Sequence, residues 1–194
     1  MTVEPEPKIV ELRGPDAMLL HHTYGTNGIV LELEVALSPC VPWSECVAQF
    51  ESFDQALEFA SKLTKAPGLI KKEVSFLAAP IPTYMDPLMT LFNDKQHAVM
   101  MVLAPQSVEG VEALAKSLGG QFCYNKTAEE VQASNRTLIE YTWNHTTLHA
   151  LKVDKNFTYI QSGFTPSQHV EQVKALEKEL GGEVLMHLEF LRTK

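Results

Sequence analysis

Between residues 29 and 37 the chain alternates. Ile29, Leu31, Leu33, Val35 and Leu37 fall on one face of an extended segment, and Val30, Glu32, Glu34 and Ala36 fall on the other, which predicts a strand. Ser38-Pro39-Cys40-Val41-Pro42 ends the pattern, and its prolines mark a boundary. Beyond it a strand–helix–strand pattern is expected three times. The first unit has a strand over 47–50, a capping box at Ser52-Phe53-Asp54-Gln55, and a helix with Phe53, Ala56, Leu57, Ala60 and Leu63 on one face. It stops at Ala66-Pro67-Gly68, and a strand follows over 70–77. The second unit has a strand over 98–103, a helix over 108–118, Gly119-Gly120 and a strand over 121–124. The third has a strand over 158–161, a box at Thr165-Pro166-Ser167-Gln168, a helix ending at Leu180, Gly181-Gly182 and a strand over 184–191.

Two of these helices end almost identically, as ALAKSLGG over 113–120 and ALEKELGG over 175–182. Such similarity is a repeat signal, and each glycine pair suits a left-handed helix stop. The units together predict an α+β fold of ferredoxin-like β-α-β repeats, with helices on one face of a mostly antiparallel sheet. The other face is expected to be open and to need covering by a domain, a subunit or a ligand. Strand 184–191 fits, because both its faces carry apolar residues, with His187 and Glu189 together on one. Residues 1–42 read as the end of a larger domain, with a short strand over 8–12 and a short helix over 14–22. Residues 43–194 read as a domain of their own.

The formal net charge is −8, which argues against nucleic acid or an anionic membrane surface as partner. No apolar run is long enough to span a bilayer, and MTVEPEPK is not a signal peptide. Cys40, Cys46 and Cys123 form no C-x-x-C pair, as expected of a reduced, cytoplasmic protein. Four Asn-x-Thr sequons, at Asn125, Asn135, Asn144 and Asn156, are then coincidental.

Two stretches carry candidate chemistry. Gly25-Thr26-Asn27-Gly28, just before Ile29, is a tight turn whose glycines allow close approach of a ring or phosphate. The segment 127–152 opens with a capping pair, Thr127 and Glu130, and predicts a long helix. Its second half gathers Trp143, Asn144, His145, Thr146 and His149. His145 and His149 have the i, i+4 spacing of a helical metal pair, but no Glu stands beside them to complete the usual motif.

The run 4–43 and the segment 140–161 resemble the FAD-linked oxidases and dehydrogenases of the vanillyl-alcohol-oxidase type, which include flavin-dependent glycolate and D-lactate dehydrogenases. Gly25, Thr26, Gly28 and Ile29 match the turn that begins the last strand of that family's FAD domain; Leu31 departs from its usual Thr. The resemblance implies an FAD-dependent oxidoreductase acting on a small hydroxyl-bearing substrate similar to a 2-hydroxy acid. This chain would supply the substrate cap, and the remainder of the FAD-binding domain would be a partner. Gly25, Thr26, Asn27, Gly28 and Ile29 would lie against FAD. Trp143 matches a family Trp-x-x-Arg, but Thr146 replaces the Arg that holds the substrate carboxylate. His145 is then the candidate base, and Trp143, Asn144, His149 and His187 are the candidate substrate contacts. The alternative is a non-enzymatic ferredoxin-like module that binds a small ligand or forms a homodimer through its open sheet.

Overall fold

A computed structural model describes residues 1–86, 88–134, 136–142 and 145–191. The chain divides into two compact units, Met1–Cys40 and Val41–Lys194.

In the first unit a 3-10 helix spans Gly14–Leu19, started by Pro15 in its first turn. Met1 and Ile29 exchange backbone hydrogen bonds, each 2.9 Å long. Neither the strand expected over 8–12 nor that over 29–37 forms. A strand needs a partner's backbone over several residues, and within this unit the pairing of 29–37 stops at the Met1–Ile29 contact. Its apolar residues stand out in solvent, Leu33 at 79% and Leu37 at 93% exposed.

The second unit is α+β, as the periodicities predict. A five-stranded, wholly antiparallel sheet is built from β1 (Ser44–Phe50), β2 (Lys71–Leu77), β3 (His97–Leu103), β4 (Gln121–Lys126) and β5 (His187–Glu189), in the order β4-β1-β3-β2-β5. With helices α1 (Phe53–Lys65) and α2 (Pro105–Ser117) between the first strands, β1 to β4 make the split β-α-β ferredoxin-like unit.

Alternation sorts the sheet's side chains. Cys46, Ala48 and Phe50 of β1, Val74 and Phe76 of β2, and Val99, Met101 and Leu103 of β3 meet Ala56, Leu57, Phe59, Ala60 and Leu63 of α1 and Val111 and Ala115 of α2. Ser52 caps α1 by accepting from the Gln55 amide at 3.5 Å. The two similar helix stops differ in detail: Gly119 takes the left-handed φ of +80° after α2, whereas Gly182, the second glycine, takes +87° after α6 (His169–Leu180).

The third unit is only half realised. Residues 158–161 form no strand, and the box at 165–168 is replaced by the Thr165 amide donating to Gln172 Oε1 at 3.0 Å. Its helix α6 packs on α1, where His169 Nε2 lies 3.0 Å from Ser61 Oγ. Its last strand is the short β5, added to the edge of β2.

The open sheet face is also corrected. Val47, Leu77, Ala98 and Met100 on that face are buried beneath Ile81, Met85, Leu88 and Phe92, from a segment of turns and one 3-10 helix (Ile81–Tyr84), together with Leu138 and Tyr141. The chain covers its own sheet, so a homodimer through an uncovered face has no such face to use. The long helix expected from Thr127 is broken into α3 (Ala128–Ser134), α4 (Ile139–Thr142) and α5 (Thr146–Val153).

Candidate functional site

Helix α3 packs against β1 and β4, and α5 packs against the 3-10 helix Ile81–Tyr84. The start of α3 is fixed by the predicted capping box in reciprocal form. The Thr127 amide donates to Glu130 Oε2 at 2.8 Å, and the Glu130 amide donates to Thr127 Oγ1 at 3.3 Å. Helix α3 ends at Ser134, whose hydroxyl donates to the carbonyls of Val131 and Arg136. Side-chain bonding of this kind competes with helical backbone bonding.

The turn brings the chain back over β1, where Leu138 donates its amide to Glu45 Oε1 at 2.8 Å. Glu45 lies on the same side of β1 as Val47 and is only 4% exposed. Its other oxygen, Oε2, is buried with no hydrogen-bond partner among the described residues. Burial pushes the Glu45 pKa up, against the Leu138 amide and Lys126, which favour the ionised form; Glu73 and Glu140 push it up further.

A cavity of about 330 Å³ opens beside this carboxyl. Glu45, Asp86, Tyr124, Lys126, Arg136 and Tyr141 line it. Arg136 Nη1 donates to Tyr141 Oη at 3.1 Å and stands 3.7 Å from Asp86 Oδ2. The Lys126 ammonium lies 5.3 Å from the centre of the Tyr124 ring. Burial raises the Tyr124 pKa, with Lys126 opposing it. Periodicity did not point to Glu45, since the strand predicted over 47–50 begins two residues after it, whereas β1 starts at Ser44.

The expected site residues distribute as follows. Trp143 and Asn144 lie outside the described residues. His145 is exposed and precedes α5, with its Nδ1 3.0 Å from the Glu140 carbonyl. In a neutral ring that contact puts the proton on Nδ1 and leaves Nε2 as an acceptor. His149 is buried, stacked on Tyr141 with ring centres 5.0 Å apart, and its Nδ1 has no partner among the described residues. Burial lowers its pKa, as does Lys152. His187 stands elsewhere, on β5, its Nε2 2.8 Å from Ser75 Oγ. β5 is three strand positions from β1, on the order of 14 Å at the usual spacing.

No protein-family model matches this chain, and no curated protein matches it. Among the described residues no three His, Cys, Asp or Glu side chains are grouped to hold a metal ion. No described helix is long and apolar enough to cross a membrane.

The glycine turn lies in the first unit. Gly25 takes φ +80° with open space where a Cβ would stand, and Tyr24 beside it takes φ +54°. The Thr26 amide donates to Thr23 at 3.0 Å, the Ile29 amide to Met1 at 2.9 Å, and Asn27 Nδ2 to Leu19 at 2.9 Å. The turn is therefore open at Gly25, whereas a Cβ at Gly28 would meet Leu20 and the Met1 carbonyl at 3.2 Å, and several of its donors are already used.

Proposed function

We propose that this chain supplies the substrate-covering part of an FAD-dependent oxidoreductase acting on a small hydroxyl-bearing compound similar to a 2-hydroxy acid. The supporting observation is the stretch 29–37. It carries strand alternation, follows a glycine turn that is open at Gly25, and exposes its apolar residues with no strand paired to it beyond the Met1–Ile29 contact. A segment so patterned is stabilised when a sheet edge of other protein pairs with it. Gly25, Thr26, Asn27, Gly28 and Ile29 would then border the flavin, most of whose binding residues belong to that other protein. The ferredoxin-like unit that follows would then be the substrate cap that the resemblance implies.

Bound FAD would supply the hydride acceptor. The part of this chain is to position the substrate and move a proton. His145, with Nε2 free to accept, is suited to take the hydroxyl proton as the carbon gives up hydride. Trp143, Asn144 and His149 neighbour it in sequence, and His187 is the remaining candidate contact. In the complete enzyme, His145→Gln should slow substrate-dependent flavin reduction by roughly 10²- to 10⁴-fold, the usual worth of a general base. Unchanged reduction rates would remove His145 from the mechanism.

A second reading, a non-enzymatic small-ligand module, is favoured by the cavity beside Glu45. It requires that Val41–Lys194 keep its ligand when 1–40 are deleted.

A further inference from the structure

The cavity beside Glu45 combines three features that a merely structural cavity does not need. The first is an acceptor, Glu45 Oε2, on a carboxyl 96% buried and left without a hydrogen-bond partner among the described residues. Leaving such an atom unsatisfied is unfavourable, so a donor brought by a ligand has something to gain. The second is a guanidinium, Arg136, held at the rim by the Tyr141 hydroxyl with its side chain 64% exposed. Only one of its nitrogens is engaged by these contacts, which leaves the planar fork able to take a carboxylate. The third is charge of both signs: two acidic side chains, Glu45 and Asp86, and two basic ones, Lys126 and Arg136, line the same space, with Glu73 and Glu140 near enough to act on Glu45.

That mixture of signs selects the ligand. A simple amine would satisfy Glu45 but would meet Lys126 and Arg136 with like charge. A simple carboxylate would suit Arg136 but leave Glu45 Oε2 without a donor and add negative charge beside it. A molecule with an ammonium and a carboxylate close together meets both needs and adds no net charge. Tyr124 and Tyr141 supply apolar ring surface for the rest of it.

We propose that the Glu45–Arg136 cavity is a binding site for a free α-amino acid, whose ammonium donates to Glu45 Oε2 and whose carboxylate is taken by Arg136. The site belongs to the ferredoxin-like unit and does not depend on the flavin. It stands apart from the hydroxyl-bearing substrate proposed above, so either assignment can fail alone.

The test is calorimetric titration of the 194-residue chain with alanine, leucine and phenylalanine, beside lactate, propionate and ethylamine. At least one amino acid should bind saturably, and the three partial mimics should bind at least roughly tenfold more weakly. Glu45→Gln keeps a carbonyl oxygen for the Leu138 amide but removes the charge, and should weaken amino-acid binding by at least roughly tenfold. Arg136→Gln, at an exposed side chain, should do the same, and it carries the test alone if the Glu45 variant does not fold. Three results overturn the site: no saturable binding of any of the amino acids at tens of millimolar, lactate binding as tightly as the best amino acid, or binding insensitive to Arg136→Gln.

Discussion

Ser75 Oγ and His187 Nε2 lie 2.8 Å apart where β5 joins the edge of β2. Ser75 is fully buried, and burial depresses the His187 pKa from 6.5 to about 4. The folded chain therefore holds this imidazole neutral, while the unfolded chain protonates it below about 6.5. Unfolding takes up a proton in that window, so stability is complete above pH 6.5 and falls as pH drops towards 4, levelling below it. The loss is on the order of 3 kcal/mol for the whole shift. Half-buried His97 and buried His149 are also depressed and act in the same direction. Urea unfolding of the wild type and His187→Leu between pH 7 and pH 4 checks this. The variant should show a shallower acid slope, and parallel slopes would contradict it.

Met85 is fully buried against the sheet face away from the long helices. Met85→Ala should cost about 2–5 kcal/mol, as for other large apolar side chains deleted from cores. If that face were loosely covered, denaturant midpoints of the two proteins would nearly coincide.

Gly120 ends the second helix stop against Phe50, and a Cβ there would run into the Phe50 ring. That ring is buried and packs on Phe59 at 5.2 Å, so it has little room to swing away. Gly120→Ala should destabilise by about 1–3 kcal/mol through overpacking. Gly68→Ala, where nothing lies within 4 Å, should be nearly neutral in the same thermal melts.

The regular part of the second unit was legible because each of its signals is local. Ser52 opens α1, Gly119 closes α2, and alternation divides Cys46, Ala48 and Phe50 from Val47. What was not legible depends on distant residues. Strand pattern at 29–37 states a capacity to pair, and pairing needs another strand. Residues 81–92 carry no helical or strand period, yet they bury Val47 and Met100. Glu45 resembles any polar residue of a half-exposed strand until Leu138, 93 positions later, closes over it. The continuous helix expected from Thr127 rested on a capping box that does form, but the box determines only where a helix begins, and Ser134 ends this one.

The central claim is that this chain works beside FAD held mostly by other protein. Isolation from its native cells through a tag on this chain, with the visible flavin spectrum recorded before and after anaerobic addition of a 2-hydroxy acid, tests it most directly. The account predicts near-stoichiometric FAD in the isolated material, bleached by a hydroxy acid, and a colourless preparation when the 194 residues are produced alone. Colourless protein from the native cells, or stoichiometric FAD on the 194 residues by themselves, would contradict it.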